Sequence, residues 1–215
     1  MTVNFKKLEE VYKTLENYKN AKLLVVTKNR DQKDILELIN KGNFLFGENR
    51  VQEAENKFQE LKKKYLSISL HLIGPLQSNK TINALKLFTC IQSIDREKIV
   101  NSISPHTKEK WCFTKSFYIQ INTGSEAQKS GLNPLEADTF IEYCIRDLKL
   151  PIVGLMCIPP QYEEPSMHFA FLKKIADKNN LIELSMGMSN DFIEAIKFGA
   201  TSVRIGSLFF GAREI

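Results

Sequence analysis

Histidine, cysteine and tryptophan are scarce in this chain, and long apolar runs are missing altogether. The three histidines, His71, His106 and His168, lie far apart, with no metal-ligand spacing to each other or to a cysteine pair, so no metal site is expected. The four cysteines, Cys90, Cys112, Cys144 and Cys157, form neither a C-x-x-C pair nor a dense framework, and they read as reduced thiols of a cytoplasmic protein. No uninterrupted apolar stretch could span a bilayer. The opening residues Met1 to Lys13 carry Lys6, Lys7, Glu9 and Glu10 and lack the apolar core of a signal peptide. No linker interrupts the pattern, so residues 1–215 are expected to form a single domain.

A formal net charge of +5 raises the question of nucleic acid. The lysines, however, are interleaved with acids, as in Phe58-Gln59-Glu60-Leu61-Lys62-Lys63-Lys64, which describes the solvated face of a helix and not a gathered basic footprint. Neither nucleic acid nor membrane is expected as a partner. Hydrophobic residues at 43% and charged residues at 26% suit a globular protein.

What is present is alternation. An opening helix over Asn4 to Tyr18 places Phe5, Leu8, Tyr12 and Leu15 on one stripe. Eight strand-like runs follow: Lys22 to Thr27, Asn43 to Gly47, Leu70 to Gly74, Leu87 to Ile94, Ser116 to Asn122, Ile152 to Ile158, Ile182 to Ser185 and Thr201 to Ile205. Helical stripes lie between them, among them Val51, Ala54, Phe58 and Leu61. Another, Ala137, Ile141, Cys144, Ile145 and Leu148, is entered by Asn133-Pro134-Leu135-Glu136, a cap-forming Asn with Pro at the first helical position. Strands alternating with helices pair in parallel, because each crossover returns the chain to the same edge. Eight units in this length predict an α/β fold, one (β/α)8 TIM barrel with an extra N-terminal helix, with an open doubly wound sheet as the alternative.

The chemistry-bearing residues fall just after the strands. Lys28 follows the first, Gly47-Glu48-Asn49 the second, Ser185-Met186-Gly187-Met188-Ser189 the seventh, and Arg204-Ile205-Gly206-Ser207 the eighth. In a barrel these segments converge on the C-terminal rim, where barrel enzymes bind substrate. A lysine at the end of an apolar strand can present its amine to a ligand, and as a neutral amine it attacks an aldehyde. The glycines and serines after the last two strands suit a phosphate, since glycine lets backbone N–H groups approach and serine adds a hydroxyl. A lysine that forms an aldimine, combined with a phosphate clamp, points to pyridoxal 5′-phosphate (PLP). Other groups are read more plainly. Glu48 is expected to serve the dipole of the helix it opens, His71 to be a hydrogen-bonded core residue, and Lys80 and Lys129 to be solvated.

The motifs Val26-Thr27-Lys28, Phe46-Gly47-Glu48-Asn49, His71-Leu72-Ile73-Gly74-Pro75-Leu76-Gln77-Ser78-Asn79-Lys80, Lys129-Ser130-Gly131, Gly154-Leu155-Met156, Leu184 to Ser189, Val203 to Ser207 and Phe210-Gly211-Ala212-Arg213 occur in an order that resembles the YggS-type pyridoxal phosphate homeostasis family. That family shares its barrel with the N-terminal domain of alanine racemases. The resemblance implies that Lys28 carries PLP as an internal aldimine, that Ser185, Gly206 and Ser207 hold the phosphate, that Arg204 faces the pyridine nitrogen, and that Asn49 and Met188 line the pocket. It also implies a carrier or reservoir in vitamin B6 homeostasis, working with PLP-dependent apo-enzymes as a monomer or at most a weak dimer. Departures from the family pattern are Arg50 where tyrosine is usual, Asn29-Arg30-Asp31 where the lysine motif commonly runs into proline, and Glu214-Ile215 at the close.

A cationic Arg204 favours an unprotonated ring nitrogen and so a poorer electron sink, though racemases with this barrel also use an arginine there. A racemase needs acid and base on opposite faces of the substrate carbon. Only Lys28 is expected in place for that, and no second domain after Ile215 is expected to add another. The expectation is therefore a binding protein without strong catalysis and with no confident catalytic residue. A minimal racemase, aldolase or decarboxylase is the rival.

Overall fold

A computed structural model describes residues 3–18, 21–126 and 130–211; Lys129 and Ala212 to Ile215, named above in family motifs, lie outside the described residues. Eight strands form one closed barrel in sequence order, β1 (Lys22–Val26), β2 (Leu45–Glu48), β3 (Ser69–Leu72), β4 (Cys90–Ile94), β5 (Ser116–Ile121), β6 (Ile152–Cys157), β7 (Glu183–Ser185) and β8 (Ser202–Ile205). Every pairing is parallel. The (β/α)8 expectation holds, and the open sheet is set aside because β1 pairs with β8, Val25 beside Ile205.

The helices are α1 (Phe5–Glu16), α2 (Gln32–Asn40), α3 (Val51–Lys64), α4 (Thr81–Leu87), α5 (Glu97–Ile103), α6 (Ala137–Glu142), α7 (Pro165–Lys178), α8 (Phe192–Lys197) and α9 (Ser207–Phe210). Asn4 caps α1, its side chain accepting the Lys7 N–H at 3.1 Å. The buried stripe of α1 is Leu8, Val11 and Leu15; Tyr12 sits at its margin and donates its hydroxyl to Asn43 at 2.6 Å. Asn133 caps as expected, accepting from Leu135 N–H, but the chain passes through a 3-10 turn into α6 and leaves by a π turn at Tyr143–Asp147. The fourth strand starts at Cys90, not Leu87. Leu87 closes α4, whose Ala84 and Leu85 are buried, and an apolar run alone does not separate a buried helix end from a strand.

Alternation along the strands divides the interior. Leu23, Val25, Phe117, Ile119, Leu184, Val203 and Ile205 face the helices and join the large outer core. Their neighbours face the barrel axis. Leu24, Val26 and Ile73 form one small apolar cluster, and Cys90, Tyr118 and Met156 another. In the same axial set stand His71, Gln92, Ser185 and Arg204, so a polar seam occupies the lumen. Among the described residues no helix is long and apolar enough to cross a membrane.

Candidate functional site

The C-terminal ends of β1, β2, β6, β7 and β8 open onto a pocket of about 750 Å³. Register places its parts. Val26 lies beside Gly47, and Val25 beside Ile205, so the residues that follow these pairs, Lys28, Asn49, Gly206 and Ser207, emerge side by side on one rim. All four line the pocket, with Met188 and Arg204. Six of the seven residues expected at the site are thus brought together.

The seventh, Ser185, is placed elsewhere. It ends β7 facing the lumen, fully buried, and is not part of the pocket wall. Its hydroxyl accepts from Arg204 Nη1 at 2.8 Å and donates to Gln92 Oε1 at 2.6 Å. The hydroxyl that meets Ser207 belongs to Ser189, with the Ser207 Oγ donating to it at 2.8 Å, and both residues line the pocket. The sequence contained the signal. Ser185 alternates with outward-facing Leu184 and Met186 and must point inward, whereas Ser189 lies four residues on, in the rim loop. That loop is closed by Asp191, whose Oδ1 accepts the Met188 N–H at 2.5 Å.

Glycine at position 206 is required by close approach: a Cβ there would stand 2.8 Å from the Val26 carbonyl oxygen. Gly74 likewise lets the loop after β3 rest on Asn49, whose carbonyl oxygen would lie 2.3 Å from an added Cβ. Arg30, also in the wall, carries its guanidinium 4.9 Å from the Phe210 ring centroid, which ties the turn after β1 to α9.

Arg204 is buried at the pocket floor, its Nη2 donating to the Cys157 carbonyl at 2.7 Å. Burial draws its guanidinium below the ordinary value, with Cys157 and Asp191 acting against that shift. The relay beyond it has one direction. Arginine only donates, so Ser185 accepts there and spends its own proton on Gln92 Oε1. The amide then donates to His71 Nδ1 at 2.9 Å, which requires the neutral Nε2–H tautomer; Nε2 lies 3.3 Å from Ser69 Oγ. Burial, and secondarily Lys22, lowers His71 to about 4, in keeping with a neutral ring. His71 is the hydrogen-bonded core residue the sequence suggested.

Glu48 is corrected. It is the last residue of β2 and fully buried, neither a rim base nor a helix-dipole partner. Its Oε1 accepts from Thr27 Oγ1 at 2.6 Å and from Lys57 Nζ at 2.8 Å, while Oε2 is buried without a partner. Desolvation raises its carboxyl against the pull of Lys57, whereas Glu53, nearer solvent, is lowered: Lys57 and the Asn29 N–H outweigh its own desolvation. Lys80 makes a long 3.4 Å contact to Gln52 on the surface.

With this geometry in hand, the chain matches the family model for the alanine racemase N-terminal domain over residues 3–214. It is 38% identical over 205 residues to a pyridoxal phosphate homeostasis protein of Vibrio cholerae, covering 91% of this chain and 86% of the relative. To that of Pseudomonas aeruginosa it is 39% identical over 197 residues, covering 89% and 84%. Among solved structures, PipY of Synechococcus elongatus with PLP bound superposes with a TM-score of 0.85 at 30% identity, covering 96% of this chain and 99% of that one. An alanine racemase of Corynebacterium glutamicum, at 16% identity and TM-score 0.70, shares the fold; this chain spans 62% of it.

Proposed function

We propose a function from one premise: the chain belongs to the pyridoxal phosphate homeostasis protein family, built on the alanine racemase N-terminal domain. It binds PLP, held covalently through Lys28 Nζ, and serves as a reservoir from which PLP-dependent apo-enzymes are supplied. The observation that carries this reading is a lysine in the same pocket wall as a pair of serine hydroxyls 2.8 Å apart and a buried arginine.

The residues fit the group. Gly206 packs directly on the Val26 carbonyl, which keeps the last loop close to the Lys28 strand, and Ser189 and Ser207 bring two hydroxyls into the same wall. When bound, the cofactor supplies an aldehyde carbon and a conjugated ring that withdraws electrons. Lys28 forms the covalent bond, Asn49 and Met188 bound the ring's space, and Arg204 presents donors only. A ring nitrogen facing donors alone is held unprotonated, which weakens electron withdrawal and supports storage over catalysis. The four cysteines are buried free thiols, which supports a reducing, cytoplasmic setting, and the protein acts there as a monomer or at most a weak dimer.

Titrating cofactor-free protein with PLP tests the reading. The wild type is expected to turn yellow with one equivalent bound and then to activate an added apo-enzyme. Lys28→Ala is expected to stay colourless. Rapid α-proton exchange of amino acids in heavy water by the loaded protein would instead favour an enzyme.

A further inference from the structure

Directly behind the Lys28 turn stands a second lysine that sequence reasoning passed over. Lys57 lies on α3, on the apolar stripe between Ala54 and Phe58, and its side chain is only 10% exposed. Its Nζ donates to the Thr27 carbonyl at 2.7 Å and to Glu48 Oε1 at 2.8 Å, and it pairs with Glu53 Oε1 at 2.7 Å. That same Glu53 oxygen accepts the Asn29 N–H at 2.5 Å. The Thr27 carbonyl belongs to the peptide group before the Lys28 Cα, and the Asn29 N–H to the one after it. Both peptide planes that orient Lys28 are therefore tied to one ammonium, directly on one side and through a carboxylate on the other.

We infer that Lys57 is a positioning residue for Lys28: it brackets the backbone on both sides of the reactive amine and so sets how slowly a bound aldehyde passes from Lys28 to another amine. The inference rests on the Lys28 reading above. Three features carry it. Lys57 does not line the pocket, so it acts only through the turn. Asn29 adopts a left-handed φ of 57°, a turn conformation open to asparagine, and in it the Asn29 N–H is directed to Glu53. And a buried charge is a costly way to dock a helix, since apolar residues in its place pack α3 on the barrel at least as well. A cation that holds the carbonyl before one residue directly and the N–H after it through Glu53, with its remaining contact to Glu48, points to control of that residue's geometry.

The exchange step is an ordinary amine transfer. The incoming amine adds to the carbon that Lys28 Nζ holds, the bond from that carbon to Nζ breaks, and a proton passes from the incoming nitrogen to the departing one. A slack turn lets Nζ swing out of alignment and leave more readily.

The test loads wild type, Lys57→Met, Glu53→Ala and Glu53→Gln with PLP and follows the loss of the protein-bound absorbance on adding excess free lysine. Lys57→Met and Glu53→Ala are expected to transfer about tenfold faster, the scale of one charge-assisted hydrogen bond, with a displaced absorbance maximum. Glu53→Gln keeps an acceptor for the Asn29 N–H and is expected to stay within about threefold of wild type. Wild-type rates and spectra in both Lys57→Met and Glu53→Ala overturn the inference. Should Lys57→Met not fold, Glu53→Ala decides, because Glu53 is 24% exposed and its removal leaves Lys57 paired with Glu48. Amide exchange at Asn29 in cofactor-free protein reads the bracket without the cofactor: faster exchange in Glu53→Ala supports it, and unchanged exchange contradicts it. A wild type that never loads at Lys28 defeats the earlier reading, while the amide measurement still judges the bracket.

Discussion

Two of the cationic residues that line the pocket, Lys28 and Arg204, are held in opposite ways. Lys28 is oriented through its backbone by an ion network, Lys57 between Glu48 and Glu53, set behind the turn. Arg204 is oriented through its own guanidinium by a carbonyl, a hydroxyl and a chain of neutral groups running across the lumen to His71. The first arrangement acts on the backbone at both sides of Lys28 and not on its side chain. The second locks the donor atoms themselves, and among the described residues Arg204 forms no ion pair with a carboxylate, Asp191 acting on it only at longer range. On the function proposed above, a residue meant to react is braced from behind, and one meant only to present charge is gripped at its head.

The largest effect expected from breaking this contrast is on the charged side. Lys57→Met strands Glu48 in the core and should cost about 3 kcal/mol or more of stability. Denaturant unfolding of the double variant Lys57→Met with Glu48→Leu should recover most of it, and a double variant as unstable as the single one would contradict the network's role. On the neutral side, Gln92→Leu removes the acceptor of the Ser185 hydroxyl and the donor to His71 Nδ1, and should cost about 2 kcal/mol in the same measurement. It should also loosen Arg204 and weaken PLP binding while adduct formation at Lys28 persists.

His71 sharpens the comparison through pH. Its folded value of about 4 lies below the unfolded 6.5, so the unfolded state binds more protons between these limits. Stability contributed by the neutral ring is complete above about 6.5 and lost as pH falls toward about 4. The slope should reach up to about 1.4 kcal/mol per pH unit in wild type relative to His71→Gln, a difference from which Glu48 cancels. Equal slopes for the two proteins would show that His71 does not titrate this way. The smallest effect belongs to the rim: Met188→Ala, at a residue 37% exposed, should change stability by less than about 0.5 kcal/mol and loosen PLP only slightly, by calorimetry.

Much of this was readable from residues alone. Eight apolar runs ended by polar or glycine-bearing loops specify a barrel and its working rim, and Lys28, Asn49, Met188, Arg204, Gly206 and Ser207 meet there. Three things escaped for separate physical reasons. Ser185 was expected in the pocket wall, where Ser189 stands instead, because a motif shows composition and not which way a strand residue points. The onset of β4 was drawn too early because Leu87 is apolar whether it closes a helix or opens a strand. Lys57 was hidden because a lysine on a helix is ordinarily solvated. Only its place on the stripe of Ala54, Phe58 and Leu61, four residues after Glu53, hinted that it turns inward. Gln92 carries no motif at all, and its role exists only once β3, β4, β7 and β8 face one another across the lumen.

The most direct measurement of the central claim is borohydride reduction of the PLP-loaded protein followed by peptide mass spectrometry. The account predicts a single stable adduct on the peptide carrying Lys28, with Lys57 and Lys80 unmodified. An adduct on another lysine, or none at all, would contradict it.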